Sequence, residues 1–409
     1  MVTADADVQR LSPSDFTGHI ALGLIALAVF VALNMTTGRL EVGSGAGWDG
    51  MDYSRMLRDG WSAGSVHTRL RPLIVWLNAP LYALIRQPVM TFQAMNLVYT
   101  GLLGVALSML LRRYGATTFV RAIAIICIVL TNHFRLFAFY PVLVDLGACL
   151  VMTMALLLIL DGPRWGAAVA CVAAVLAREY APILLCFGIH RDLRRGVAIS
   201  STVATYAPAA IVWAILRVVV MQTAVGPEDP TTLGTFLGNV RVMADPLFVA
   251  LFAYSVVTVA GGLSMVVVAQ LVTCRRLIER EPEWVSYTVP LLLVTMLGGA
   301  DLWRYLTPLL PMVAVFYARC SQESSRREQT VLAAAAVLLT LWTQQPFTRM
   351  DAARYFAEWF PYYIRAGLYP FSTPPPSIWP EWGWRLAIVA IAMCGLLAYA
   401  NRRRVGMTA

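Results

Sequence analysis

The sequence contains no lysine, and arginine supplies all 32 of its basic residues. The absence of lysine is typical of a GC-rich genome and indicates a bacterial source. It also means that any phosphate held by a basic side chain must be held by the planar, fork-shaped guanidinium of arginine. The net charge of +9 fits a membrane protein, because cytoplasmic loops collect cations.

Charge is scarce in this chain: only 13% of the residues are charged, whereas 59% are hydrophobic and the mean hydropathy is +0.66. Soluble domains carry about a quarter charged residues, so a soluble fold is excluded. Repeated apolar runs long enough to cross a bilayer predict an all-α, polytopic integral membrane protein. No basic face alternates with aromatic residues, so a nucleic acid is not expected as a partner.

Cysteine and histidine spacings typical of metal or redox motifs are missing. The seven cysteines show no C-x-x-C pair and lie mostly inside apolar runs, where cysteine behaves as a small buried hydrophobe. His19, His133 and His190 are scattered along the chain and also lack ligand spacing. The sequence therefore predicts neither a disulfide framework nor a zinc site.

The apolar runs predict about 11–12 transmembrane segments. The segment 71–86 is too short for a span, which needs about 20 residues, and is predicted to lie in the membrane interface. The short runs 165–177 and 181–190 are predicted to form a broken pair with residues 178–180 at its tip. The runs are 19–35, 90–111, 119–139, 142–160, 165–177, 181–190, 197–220, 247–273, 284–300, 303–319, 330–343 and 384–400.

Clusters of arginine predict the orientation of the chain. All of them fall on the cytoplasmic side if 71–86 does not cross, which also places the N- and C-termini in the cytoplasm. The clusters are Arg112–Arg113, Arg191/Arg194/Arg195, Arg275–Arg276–Arg280, Arg319/Arg326/Arg327 and Arg402–Arg403–Arg404.

The same topology organises the rest of the chain. The first outer loop, 36–89, and a later loop, 344–383, face outward from the plasma (inner) membrane. No cleavable signal peptide is expected. Residues 1–409 are predicted to form a single transmembrane domain without a separate soluble domain.

The first outer loop contains an unusually polar stretch, GSGAGWDGMDYSRMLRDGW, at residues 43–61. Asp49 and Asp52 share one face if the chain turns helical after Gly50, and either carboxylate is a candidate general base or metal ligand. The alternative is a solvated helix with an ion pair between Asp52 and Arg55. The glycines lack the context of a phosphate loop, which favours a flexible approach to Asp49.

Two further polar signals interrupt apolar sequence. Asp145 lies in FYPVLVDLGACL (139–150), where a charge is costly and usually functional; the alternative is a residue that meets water at the membrane boundary. Arg178 and Glu179 are neighbours in LAREYAP (176–182). Adjacent helical residues do not face each other, so each is expected to need another partner, functional or structural.

Two arginine-containing segments are candidate phosphate sites. HTRLRPL (67–73) contains His67, Arg69 and Arg71, and GGADLWRYLTPLLP (298–311) brings Asp301, Arg304 and Tyr305 onto one helical face before two prolines. Arginine at the outer membrane level suits a lipid phosphate. The alternative for both segments is interfacial anchoring by snorkelling side chains.

Taken in chain order, these features resemble the GT-C superfamily of membrane glycosyltransferases, which includes the protein O-mannosyltransferases and the lipid A aminoarabinose transferase. An apolar first helix is followed by an outer loop opening with WDGMDYSRMLRDGW (48–61) and then by RPL (71–73). Asp145, a broken pair with a charged tip, and a late RYLTPLLP (304–311) complete the pattern. The resemblance covers most of the chain, mainly as topology, and implies a GT-C-like fold.

The resemblance also implies roles for particular residues. Asp49, or next Asp52, matches the acidic residue that acts as general base or metal ligand, and Asp145 matches the second acidic site. Arg178 and Arg304 match the basic residues that hold the donor phosphate. A divalent cation, Mg²⁺ or Mn²⁺, would be held by Asp49 and Asp145. The remaining candidates are Arg69 and Arg71 for the phosphate, and Glu179, Tyr305, Asp301 and His67 in support.

The predicted location narrows the substrate class. Nucleotide sugars are cytosolic, whereas the candidate residues face outward, so a sugar donor must be carried through the membrane on a lipid. A polyprenyl phosphate supplies an apolar tail and an anionic leaving group, and direct displacement by a glycan, lipid or protein acceptor would invert the sugar carbon. The alternatives are a membrane polysaccharide polymerase or ligase, and a transporter or flippase of lipid-linked sugars.

Overall fold

The computed structural model describes residues 13–40, 42–223, 240, 246–298, 302–343 and 379–408. Within these residues the chain is helical and contains no strand, as the composition predicted. The helices are α1 (Pro13–Thr36), α2 (Trp48–Asp59), α3 (Val66–Arg69), α4 (Pro72–Ile85), α5 (Pro88–Arg113), α6 (Thr118–Val129), α7 (Asn132–Phe139), α8 (Asp145–Asp161), α9 (Arg164–Ala177), α10 (Ile183–Arg194), α11 (Ile199–Gln222), α12 (Pro246–Thr258), α13 (Gly262–Ala269), α14 (Leu271–Arg280), α15 (Glu283–Gly298), α16 (Leu302–Tyr305), α17 (Leu309–Gln322), α18 (Arg326–Thr343) and α19 (Trp379–Thr408).

Long apolar helices indicate a membrane-embedded protein. In the described residues, three helices are long and apolar enough to cross a bilayer: α1, α5 and α11. Two bent pairs, α6 with α7 and α12 with α13, raise the number to five if each pair is one span. Large apolar side chains point outward along several helices, as lipid contact requires; they include Leu24, Leu84, Val169, Ile215, Leu338 and Ile391. The predicted 11–12 spans and the GT-C-like fold stay predictions.

The two bent pairs occupy runs that the sequence presents as continuous. Residues 119–139 bend by 48° between α6 and α7, and residues 247–273 bend by 99° between α12 and α13. The second bend depends on Gly261, whose φ of +57° suits glycine. A side chain at Gly262 would approach the Ala336 carbonyl oxygen to 2.1 Å, so this glycine allows α13 and α18 to pack closely.

Helix α8 connects two distinct ends of the bundle. Its 17 residues span about 25 Å at 1.5 Å per residue, with Asp145 at one end and Asp161 at the other. Asp161 forms an ion pair with Arg113, the last residue of α5, so α5 and α8 run in the same direction. We call the end with Asp145 the site end and the end with Asp161 the opposite end.

The opposite end collects several arginines predicted to be cytoplasmic. Arg112 pairs with Asp15 at 2.6 Å, and Arg194 pairs with Glu283 at 2.9 Å. Arg319 reaches Glu281 at 3.5 Å. These pairs join the helix ends that the orientation prediction places on one side of the membrane; the orientation itself stays a prediction.

The first outer loop of the prediction is largely helical. The segment 71–86 forms α4, which is shorter than the spans and contains Pro80; its interfacial position and the single-domain assignment stay predictions. The runs 165–177 and 181–190 form α9 and α10, with Arg178 and Glu179 in the non-helical connection. Most of the loop 344–383 lies outside the described residues.

Candidate functional site

Six charged side chains from distant parts of the chain meet at the site end, and we call them the charged cluster. They come from the start of α2, the residue before α4, the start of α8, the α9–α10 connection and α16. Three carboxylates face three guanidinium groups, so the formal charges of the cluster sum to zero. Its members are Asp49, Arg71, Asp145, Arg178, Glu179 and Arg304.

Asp145 is the most deeply buried carboxylate of the cluster, with a side chain that is 0% exposed. Its Oδ1 pairs with Arg178, and its Oδ2 accepts hydrogen bonds from Arg304 Nη2 at 2.9 Å and Nε at 3.3 Å. It also lies in the first turn of α8, where the helix dipole favours a negative charge. Asp145 therefore fixes both guanidinium groups in the interior.

Glu179 organises the second half of the cluster. Arg71 donates to its carboxylate through Nε at 2.7 Å and Nη2 at 2.6 Å, which is a bidentate pair. The Tyr305 hydroxyl lies 3.2 Å from the same carboxylate, and Trp213 Nε1 donates to the Glu179 carbonyl at 2.8 Å. Burial alone would raise the pKa of Glu179, but Arg71 and then Arg178 outweigh it and lower that pKa. Glu179 is therefore a structural anion that holds Arg71.

Asp49 is the accessible acid of the cluster, with a side chain that is 41% exposed. Arg304 Nη1 donates to its Oδ2 at 3.0 Å. Partial burial acts to raise the pKa of Asp49, but Arg304 together with Arg71 and Arg178 lowers it below the ordinary value of 3.8. The cluster therefore presents one ionised carboxylate towards its open side and keeps the others inside.

The glycines around Asp49 serve close packing rather than flexibility. A side chain at Gly47 would lie 2.3 Å from the Tyr140 ring, and the φ of +67° at Gly47 also favours glycine. At Gly50 a side chain would lie 2.8 Å from Val142. The Gly50 backbone N–H donates to the Tyr140 hydroxyl at 2.9 Å. The expectation of a flexible approach to Asp49 is therefore replaced by a start of α2 pressed against the segment that leads into α8.

Aromatic side chains surround the charges, and Tyr305 is the one among those named here that the sequence singled out. Tyr53, one turn after Asp49, accepts a hydrogen bond from Arg71 Nη1 at 3.0 Å. The Arg178 guanidinium lies 5.3 Å from the centre of the Tyr180 ring and 5.8 Å from that of Tyr305, within cation–π range. The spacing of Tyr53 from Asp49 was a usable signal, because residues i and i+4 share a helix face.

Several predicted site residues lie elsewhere. Asp52 pairs with Arg55 on the same helix, which is the alternative considered for it. Arg69 donates to the Thr223 carbonyl at 3.3 Å and lies over the Trp61 ring at 4.5 Å, so it joins α3 to the end of α11. His67 is exposed on α3. Asp301 lies outside the described residues.

The cluster does not fit a divalent cation held by Asp49 and Asp145. Each of these carboxylates is already paired with arginine, and the formal charges of the cluster are balanced without an added ion. In the part of the chain that the structure describes, no group of three or more histidine, cysteine, aspartate or glutamate side chains could hold a metal. Oxygen-rich, uncompensated sites are what Mg²⁺ and Mn²⁺ require.

Comparison of the chain with protein families, with curated proteins and with solved structures finds no match. The functional interpretation therefore depends on the charged cluster itself. Arg304 lies between an accessible carboxylate and a buried one, which places a potential base beside a potential anion binder. That pairing suits a reaction in which a proton is removed while negative charge develops nearby.

Proposed function

We propose that the protein is an inverting glycosyltransferase that moves a sugar from a polyprenyl-phosphate donor to a glycan, lipid or protein acceptor. The observation that carries the proposal is the contact of Arg304 with both Asp49 and Asp145 at one end of the bundle. Asp145 holds the cation in place, and Asp49 is the exposed acid beside it. The site is proposed to face outward from the bacterial plasma membrane, opposite the arginine-rich end.

The proposed reaction is a direct displacement at the anomeric carbon. Asp49 takes the proton of the acceptor hydroxyl as the acceptor oxygen bonds to the sugar. The bond between the anomeric carbon and the phosphate oxygen breaks, and its electron pair leaves on polyprenyl phosphate. Arg304 stabilises the second negative charge that develops there. One negative charge thus moves from Asp49 to the phosphate, and no charge is gained or lost.

The position of the charges favours an enzyme over a lipid-linked-sugar transporter. A transporter concentrates its charged residues near the membrane midplane. Here Asp49 and Arg71 of the charged cluster lie in the connection between α1 and α5, two helices long enough to cross a bilayer. A site that includes this connection is expected near a membrane surface rather than at the midplane.

Substitution of Asp49 tests the proposal directly. Membranes containing the protein would receive labelled polyprenyl-phosphate sugars from a panel of hexoses and pentoses, with release of polyprenyl phosphate and labelling of acceptor measured. We expect Asp49→Asn to lower transfer by about 10²–10⁴-fold, the range for loss of a general base. Full transfer by this variant, with loss in Asp52→Asn, would assign the base to Asp52 instead.

The control in this experiment is Asp59→Asn. Asp59 lies on the same helix, is exposed and is about 15 Å along the axis from Asp49. Its substitution removes the same charge and is expected to leave transfer unchanged. Transfer of none of the labelled sugars by the unmodified protein would contradict the proposed activity.

A further inference from the structure

We propose that Asp49 and the donor phosphate compete for the same face of Arg304, so that binding of the donor releases the base. This inference rests on the proposed function and adds an exchange step to it. In the structure, Arg304 binds Asp49, the proposed base. The donor phosphate must bind the same guanidinium group. The donor would then switch on the group that activates its acceptor.

The ion-pair contacts that the structure describes for Arg304 include a fixed set and an exchangeable one. Nε and Nη2 both donate to the buried Asp145, which Arg178 holds as well. Nη1 donates to Asp49, whose side chain is far more exposed. Among the described residues, Arg304 is the ion-pair partner of Asp49. Loss of the Asp49 contact therefore leaves Arg304 held in position by Asp145.

Charge balance favours exchange over simple addition of the donor. The charged cluster is neutral, and the Arg304 side chain is 4% exposed, so an added anion would carry an uncompensated charge into a poorly solvated site. A polyprenyl-phosphate sugar is a phosphodiester with one negative charge. Replacement of the Asp49 carboxylate by this group leaves the number of negative charges in contact with Arg304 unchanged, and the displaced carboxylate is the most exposed one of the cluster.

The other two arginines are less suited to such an exchange. Arg71 is held by a bidentate pair with Glu179 and also donates to Tyr53. Arg178 pairs with Asp145 beneath the rings of Tyr180 and Tyr305, and its side chain is 1% exposed. Arg304 is thus the arginine of the cluster with an accessible partner, Asp49, which it contacts through one nitrogen atom, Nη1.

Exchange would make the basicity of Asp49 depend on the donor. Among the neighbouring charges, the Arg304 guanidinium has the largest effect in lowering the pKa of Asp49. When Arg304 binds the donor phosphate instead, the Asp49 carboxylate is free to accept a proton. After sugar transfer, protonated Asp49 is neutral and cannot compete for Arg304. When it gives its proton to water, the carboxylate can return to Arg304 and displace the polyprenyl phosphate product.

The test is a binding measurement that needs no catalysis. Farnesyl methyl phosphate, a soluble short phosphodiester with the single negative charge of the donor, would be titrated into the full-length protein in detergent, with binding followed by calorimetry and by the shift in melting temperature. We expect Asp49→Asn to bind it about tenfold more tightly than the unmodified protein, because the competitor for Arg304 is gone. Asp49→Glu keeps the charge and is expected to bind like the unmodified protein.

A second pair of variants separates competition from a general change of charge. Asp52→Asn and Asp59→Asn remove a charge from the same helix without touching Arg304, and both are expected to leave the affinity unchanged. Equal tightening in these variants, or no tightening in Asp49→Asn while the unmodified protein binds, overturns the exchange and leaves the proposed function standing. Absence of binding in both the unmodified protein and Asp49→Asn overturns the exchange and the use of a polyprenyl phosphate together.

Discussion

The two ends of α8 carry the same residue type in opposite surroundings. Asp145 at the site end is 0% exposed and contacts two arginines, whereas Asp161 at the opposite end is 47% exposed and contacts Arg113. Asp145 lies where the helix dipole favours a carboxylate, and Asp161 lies where the dipole opposes one. The position of an aspartate in the bundle therefore decides its role. Asp145 belongs to the candidate site, whereas Asp161 forms an exposed ion pair that joins the ends of α5 and α8.

The difference reflects solvation. Exposed ion pairs gain little, because water already solvates both partners. Buried pairs are costly to form and costlier to break, because a lone charge remains in a poorly solvated interior. A chain that retains six buried or half-buried charges at one end has a reason other than stability, and we infer that the reason is chemistry. Matched substitutions at the two ends test the difference in burial on which this inference depends.

The largest effect is expected for Asp145→Asn. This substitution leaves Arg178 and Arg304 short of a counter-charge inside the protein and should lower the free energy of unfolding by about 3–5 kcal/mol. Equilibrium unfolding in mixed detergent micelles would measure it. A loss below about 1 kcal/mol would mean that water reaches this carboxylate and that the cluster is not a buried one.

An intermediate effect is expected for Gly50→Ala. The added methyl group would meet Val142 at 2.8 Å and the Val142 carbonyl oxygen at 3.1 Å, so the start of α2 must shift and carry Asp49 away from Arg304. We expect a loss of about 1–3 kcal/mol from overpacking, with a larger fractional loss of transfer activity than of folded protein.

The control for this substitution is Gly18→Ala in α1, where nothing lies within 4 Å of the added methyl group. It should be neutral or stabilising by up to about 1 kcal/mol, since alanine favours a helix. Unfolding curves and transfer assays on both variants give the comparison. Equal behaviour of the two glycine variants would contradict the close packing described for Gly50.

The smallest effect is expected for Asp161→Asn, the counterpart of Asp145→Asn on the same helix. Loss of an exposed ion pair costs about 0–1 kcal/mol, and relief of the unfavourable dipole contact offsets part of it. The same unfolding assay would detect the difference between the two substitutions. A destabilisation as large as that of Asp145→Asn would remove the distinction between the two ends.

The sequence was more informative about which residues matter than about how they pair. All six members of the charged cluster were candidates, because a charge inside or beside an apolar run is costly and stands out. Asp52 and Arg69 were candidates as well, yet one pairs along its own helix and the other joins α3 to α11. A helix containing Asp52 was considered from the sequence, whereas α3 was not predicted. The direction in which each side chain points depends on the packing of neighbouring helices.

The partners in the cluster were beyond local reasoning. Arg71 and Glu179 are 108 residues apart, and Arg304 is 159 residues from Asp145 and 255 from Asp49. No periodic pattern connects positions at such separations. The contacts of Tyr140 and Tyr180 were not predicted either, because aromatic residues are common throughout an apolar chain.

The sequence by itself determined an all-helical, membrane-embedded chain, because hydrophobic runs and the need to satisfy backbone hydrogen bonds in lipid leave few other solutions. It also determined that any cationic phosphate site is built from arginine. Only the tertiary structure decided that Asp49 is the accessible carboxylate and that Arg304 is shared between it and Asp145. The accessibility of Asp49 and the two contacts of Arg304 depend on long-range packing, because packing sets how deeply each charge is buried. Burial in turn determines which of these contacts an incoming anion can replace.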